Sequence, residues 1–188
     1  DYDLKVFDNP QKLHEAIENK NKETRLSRVV AGYCWEWEKD GRGDPNHHDI
    51  VIGGYKKSWN VKDNSKDPWA IDQEETKDRK GSIDEVGCIH TCQGLEFDYV
   101  GVIIGPDLKY RNGEIIVDHE ERAKTDRSLF GIKKMFRENP EEASEIAEEV
   151  IKNTYRTLMS RGMNGCYIHC VDDQLQEYIK ERVRQCNN

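Results

Sequence analysis

Residues 88–105, CIHTCQGLEFDYVGVIIG, constrain the fold more than any other stretch of the chain. Residues 99–104 form a near-continuous apolar run, the pattern of a strand buried on both faces in a parallel sheet. Residues 88–91 form a shorter apolar run that ends at polar residues. Gln93-Gly94 separates the two, and Gly94 lets the backbone turn sharply or approach a ligand closely. The stretch therefore predicts strand, tight turn, strand. A carboxylate, Glu96, sits just past the turn, and the rest of the chain is organised around it.

Upstream, Asp8-Asn9-Pro10 predicts a helix start, with a cap before the proline. Leu13 and Ile17 continue an apolar stripe to about Asn19. Residues 28–33, RVVAGY, predict a strand, with Trp35 and Trp37 alternating outward after it. Residues 38–82 are polar and rich in Gly, Asp, Asn and Lys. Tyr55, Trp59 and Trp69 in this stretch need burial, so it predicts a partly ordered insertion rather than a linker. Downstream, residues 109–117 predict a hairpin turning at Asn112-Gly113. Residues 123–136 have helical spacing. Residues 141–160 carry the clearest amphipathic pattern, with Ala143, Ala147, Ile151, Tyr155 and Leu158 on one face. Acidic residues in its first turn suit the helix dipole, and Gly162 suits its end. Residues 166–171 predict another buried strand and residues 174–183 a final helix. This alternation predicts an α/β domain with a mostly parallel sheet and helices on both faces.

At 188 residues the chain is expected to be one domain, 1–188, with the polar insertion inside it. No apolar run approaches the ~18 residues of a membrane span, and no signal-peptide pattern opens the chain. The first residue is not Met, which suggests a fragment of a longer chain. Six cysteines without a secretory signal predict reduced thiols and a cytoplasmic location. The net charge of −8 opposes general polyanion binding, so any nucleic-acid contact must come from a local basic patch or a partner domain.

Two segments resemble motifs of a known family. Ile89, His90, Gln93, Gly94, Leu95, Glu96 and Phe97 match in order the T-I/L-H-x-x-K/Q-G-L-E-F pattern of motif five in superfamily-one, UvrD-like helicases; Cys88 replaces the usual Thr. Residues 155–162, YRTLMSRG, resemble motif six, with Arg161 on the motif arginine and Ser160 on the threonine, although Arg156, Leu158 and Gly162 depart from it. Residues 28–172 resemble bacterial ATP/GTP-binding proteins with a Schlafen-like helicase domain. The resemblance implies the second RecA-like domain of a P-loop NTPase. ATP and Mg2+ would then be bound between this domain and an N-terminal RecA-like domain of the same chain, with DNA or RNA as the further partner. The chain itself has no G-x-x-x-x-G-K-[ST] phosphate loop and no apolar run ending in Asp-Glu, so residues 1–188 alone are expected to be inactive.

Each candidate residue has two readings. Arg161 is the catalytic candidate, an arginine finger by resemblance, and a helix C-cap by position alone. Gln93, Gly94 and Glu96 are the nucleotide-binding candidates; a glutamate on a loop is otherwise a solvated carboxylate. His90, Thr91 and Trp35 are the nucleic-acid candidates. His90 could equally be a satisfied core histidine, and Trp35 and Trp37 either base-stacking platforms or core. Cys88, Cys92, Cys166 and Cys170 have four-residue spacings unlike zinc knuckles, and Asp44, His47, His48 and Asp49 lie in a polar loop, so no metal site is expected. The alternative to the motor reading is a non-catalytic nucleic-acid- or protein-binding regulatory module that kept the fold.

Overall fold

The computed structural model describes residues 2–24, 26–38, 44, 46–59, 69, 81–92 and 94–186. Its strands are β1 (Asp3–Val6), β2 (Ser27–Ala31), β3 (Ile50–Ile52), β4 (Tyr55–Lys57), β5 (Val86–Gly87), β6 (Phe97–Ile104), β7 (Leu108–Arg111), β8 (Glu114–Val117) and β9 (Gly162–Cys170). The helices are α1 (Pro10–Thr24), α2 (Ile89–Cys92), α3 (Ile132–Glu138), α4 (Pro140–Met159) and α5 (Asp173–Cys186). Five strands form one parallel sheet in the order β1-β9-β6-β2-β5, while β3-β4 and β7-β8 are antiparallel hairpins. The protein is thus α/β, a parallel sheet flanked by helices, consistent with a RecA-like domain.

The apolar run read as a doubly buried strand lies at the centre. Val100, Val102, Ile103 and Ile104 of β6 are buried between β9 and β2. On one face, Val100, Val102, Ile104, Cys166 and Ile168 pack with Ile151, Tyr155 and Leu158 of α4 and Leu175 of α5. On the other, Val29, Ala31, Ile103 and Tyr167 pack with Leu13 and Ile17 of α1, and with Ile50, Tyr55 and Trp59. Each such aliphatic side chain contributes roughly 1.5–3 kcal/mol when fully buried. α1 comes so close to β6 that a Cβ on Gly101 would sit 2.7 Å from Leu13 Cδ2 and 2.8 Å from Ile17 Cγ1.

Local chemistry sets the helix ends. Asn9 Oδ1 accepts the Gln11 N–H at 2.7 Å, capping α1 ahead of Pro10. Asn139 caps α4 by accepting from Glu142 N–H, with Pro140 in its first turn. Asn112 (φ 52°) and Gly113 (φ 89°) turn the β7-β8 hairpin as expected. Within the polar stretch, Tyr55 and Trp59 are buried, and the Trp69 indole donates to Glu85 at 2.8 Å.

Four expectations need correction. The stretch predicted as strand at 88–91 is not strand: β5 ends at Gly87, and α2 follows as one helical turn. Thr91 Oγ1 donates to the Cys88 carbonyl (2.9 Å) and accepts the Cys88 N–H (3.0 Å), so a local side chain captures backbone groups that a strand would have paired. Edge strand β1, paired to β9, was not expected. α1 runs on to Thr24, five residues past the predicted end. The helix predicted at 123–136 starts only at Ile132, after a series of turns. Among the described residues no helix is long and apolar enough to cross a membrane.

Candidate nucleotide edge and the opposite edge of the sheet

Because the five sheet strands are parallel, segments entering β6 and β9 share one edge, and segments leaving β2, β5 and β6 share the other. The two resemblance motifs meet at the entering edge. α4 ends at Met159, and its C-terminal residues deliver Arg161 directly ahead of β9. The Phe97 N–H donates to the Arg161 carbonyl at 2.7 Å, and pairing of β6 with β9 begins at Phe97 and Gly162. Gly94, Leu95 and Glu96 are thereby brought beside Arg161 from 65 or more residues away in sequence.

Arg161 Nη1 makes a long contact of 3.5 Å to the Leu95 carbonyl. Its Nε is buried and has no hydrogen-bond partner among the described residues. A buried donor left unsatisfied costs roughly 1–3 kcal/mol, so a guanidinium held this way is poorly explained as a helix cap. Glu96 is exposed and makes no hydrogen bond or ion pair among the described residues. Gly94 is exposed in the left-handed region (φ 79°), where a side chain would be strained. Gln93, the remaining nucleotide-binding candidate, lies outside the described residues. An edge with one half-satisfied guanidinium, one free carboxylate and an open glycine turn can contact an anionic ligand carrying hydroxyl donors. It offers no phosphate cradle of its own.

The nucleic-acid candidates lie at the opposite edge. His90 projects from α2 with its side chain 54% exposed; its ring meets Tyr33 edge-on at 5.9 Å, and its Nε2 is 4.0 Å from Asp126. Thr91 is spent on the Cys88 turn. Trp35 is half-buried. Its ring packs edge-on to Trp59 at 6.3 Å and its carbonyl accepts the Trp59 indole N–H at 3.1 Å, so much of it serves the core. The structure therefore groups Arg161 with Gly94 and Glu96, and groups His90 and Trp35 apart from them.

The leaving edge also holds a buried ionic network that sequence reasoning missed. Arg122 donates to Asp126 (2.8 Å from Nε, and again from Nη2), to Asp107 (3.0 Å) and to Ser128 (3.2 Å). Asp107 also accepts from the Tyr155 hydroxyl, which in turn accepts the Gly105 N–H at 2.9 Å. Burial works against the Arg122 charge, but Asp107 and Asp126 outweigh it and raise its pKa. Burial likewise pushes the neighbouring Cys34 thiol well up. Tyr155 belongs to α4, so the helix that leads into Arg161 is tied to this network. A cleft of about 520 Å³ adjoins it, lined by Cys34, Glu36, His119, Arg122, Lys124 and Phe130 among others. Its members are scattered between residues 34 and 155, and the only signal was the tyrosine that opens the second motif.

Among the described residues, one group has metal-ligand chemistry: His14, Glu18 and Asp84. His14 Nε2 faces the Ile83 carbonyl and Nδ1 the Tyr55 hydroxyl, both at 2.7 Å. A carbonyl only accepts, so Nε2 carries the proton and Nδ1 accepts from Tyr55; both ring nitrogens are committed. Cys92, Cys166 and Cys170 lie in the cluster under α4 and Cys88 in the cluster under α1, all as free thiols. Burial pushes Cys92 and Cys166 up to about 12, which holds them protonated.

Residues 1–172 match the sequence profile of the Schlafen group 3, DNA/RNA helicase domain. The uncharacterized protein YPL245W of Saccharomyces cerevisiae is 26% identical over 179 residues, which cover 95% of this chain and 36% of that protein. The chain thus spans little more than a third of the curated relative it matches. No solved structure matches it.

Proposed function

The chain belongs to the Schlafen group 3 DNA/RNA helicase domain family, which gives it a helicase-related role, and we propose that it is the second, C-terminal RecA-like motor domain of a helicase-like NTPase. In this reading it completes an ATP site whose phosphate loop and Mg2+ ligands belong to an N-terminal domain of the same longer chain. The observation that carries the reading is the junction of the two motifs: Arg161, with a buried and unpartnered Nε, held against the backbone at Leu95 beside the exposed Glu96.

These residues fit a nucleoside triphosphate approaching from outside the domain. ATP bound with Mg2+ supplies a γ-phosphoryl group whose charge becomes accessible during transfer to water. The Arg161 guanidinium carries a positive charge and presents donors toward this edge. Glu96 offers acceptors for a ribose hydroxyl, and Gly94 keeps the turn free of side-chain bulk. Tyr155, about one turn before the end of α4 that leads to Arg161, is fixed by its bonds to Gly105 and Asp107. That rigidity suits a residue that must be positioned before the reaction. Nucleic acid is the second ligand in this reading, engaged at the leaving edge where His90 is exposed.

The test is ATP turnover. Residues 1–188 alone should hydrolyse ATP at background rate, while the longer natural chain should show Mg2+-dependent turnover. Robust turnover by residues 1–188 that survives repurification would overturn the two-domain reading.

A further inference from the structure

We propose that the loop of residues 124–131 together with α3 is a docking surface for single-stranded nucleic acid, with Phe130 stacking on a base and Arg127, Lys133 and Lys134 holding the flanking phosphates. This rests on the helicase-related reading above and gives it a contact surface outside both motifs.

The first observation is Phe130, which is 92% exposed. Its neighbours are not: Leu129 and Ile132 turn inward onto Ala143, Ala147 and Ile146 of α4, forming a small cluster from which Phe130 is excluded. A chain that turns Leu129 and Ile132 inward and leaves the Phe130 ring between them in water presents that ring. Aromatic faces presented in this way are the sequence-tolerant element of single-strand binding, because every base offers a π-face.

Charge is the second observation. The whole chain carries −8, but residues 124–138, the loop and α3, hold five cations, Lys124, Arg127, Lys133, Lys134 and Arg137, against two acids, Asp126 and Glu138. Asp126 is buried and paired with Arg122. Arg127 and Lys133 are exposed and form no ion pair among the described residues, and Lys134 has only an exposed contact of 3.7 Å to Glu138. The acids of the adjoining cleft are mostly engaged. Glu36 accepts from Lys124 N–H and the Thr125 hydroxyl, and Glu121 pairs with Lys109 at 3.4 Å. Glu120 is the one cleft carboxylate without such a partner among the described residues. A positive surface on an acidic domain attracts a polyanion locally, through phosphate neutralisation and counterion release.

The third observation is rigidity. The loop is fastened by the Arg122 network, by Ser128 bonded twice to Asp126 (2.9 and 2.7 Å), and by Ala123 N–H to the Tyr33 carbonyl (3.0 Å). A stacking ring on an anchored loop loses little entropy when it binds. The same network reaches Tyr155 on α4, so this surface and Arg161 share one supporting element.

The experiment is equilibrium binding of fluorescein-labelled oligo(dT) and oligo(rU) to the full natural chain carrying residues 1–188, without nucleotide, over a salt series. Phe130→Ala should weaken binding about 5- to 150-fold with an unchanged salt slope, and Phe130→Trp should retain it. Lys133→Ala combined with Lys134→Ala should reduce the salt slope by about 0.7 for each phosphate that is no longer neutralised. Dependence on Phe130 with either probe supports the proposal, and the pair of probes separates DNA from RNA. Wild-type affinity for both probes in Phe130→Ala, or no binding by the parent protein, overturns it and leaves the surface to an acidic protein partner. Binding without nucleotide reads this surface and ATP turnover reads the motor, so either idea can fail without the other.

Discussion

Replacing Arg122 by Ala tests whether the leaving edge is built as described. The Arg122, Asp107 and Asp126 side chains are only 2%, 0% and 1% exposed, so water cannot replace the guanidinium without opening the loop. The substitution removes the bonds to Asp107, Asp126 and Ser128 together and leaves two buried carboxylates without a countercharge. Breaking a buried ion pair from one side costs about 3–5 kcal/mol, most of it the desolvation of the abandoned charges. That is a large share of the roughly 5–15 kcal/mol that stabilises a typical domain. The triple variant Arg122→Met, Asp107→Asn, Asp126→Asn leaves no buried charge, so it should recover most of the loss. Urea unfolding at neutral pH, followed by far-ultraviolet circular dichroism, measures both variants; the midpoint should fall while the slope stays constant. A loss in Arg122→Ala below about 1 kcal/mol, the figure for an exposed pair, would refute the reasoning.

Two further outcomes follow from the core. Burial outweighs the Phe7 carbonyl contact at His169 and lowers its pKa below the ordinary 6.5, so the native state binds the proton less readily than the unfolded chain. This contribution to stability is complete above pH 6.5 and is lost as the pH falls through the lowered value; a urea midpoint that rises on acidification through this window would contradict it. Gly101→Val places methyl groups where Leu13 and Ile17 already stand, and should cost about 1–3 kcal/mol of thermal stability; an unchanged melting temperature would show that α1 does not pack this closely.

The centre of the fold was legible because its signals are strong and local. Residues 99–104 are apolar on both faces, and such a run has few places to go other than the middle of a parallel sheet. α4 was legible for the same reason, with its apolar stripe and its acidic first turn. β1 was not, because Asp3 and Lys5 alternate with Leu4 and Val6 over only four residues, and only pairing with β9 makes them a strand. The turn at 89–92 has the apolar content of a strand, but the Thr91 hydroxyl, bonded to the Cys88 N–H and carbonyl, decides the backbone there. The late start of α3 has a tertiary cause: Arg122, Asp126 and Ser128 draw the preceding segment into the buried network, and Gly131 sits in the left-handed region just before the helix. At the candidate site, Arg161 and Glu96 were legible through their motifs. Their junction was not, since it depends on β6 pairing with β9. Phe130 gave no periodic signal, and only the packing of Leu129 and Ile132 reveals that it is left outside.

The central claim is that Arg161 acts on the transferring phosphoryl group rather than on the helix end. Nucleic-acid-stimulated ATP turnover of the full natural chain, compared between wild type and Arg161→Ala, tests it most directly. A group that meets charge developing in the transition state affects turnover far more than substrate affinity. Arginine fingers supplied from outside the phosphate-binding domain are worth about 10³–10⁵ in rate, and the lower end or below is expected here. Arg161→Lys should not restore full turnover, because an ammonium lacks the planar fork. α4 should remain folded in both variants, since the substitution lies past its last residue, Met159. The account predicts a fall in kcat of about 10²–10³ with KM changed far less. A folded Arg161→Ala protein with wild-type stimulated turnover would contradict it and reduce Arg161 to a helix cap.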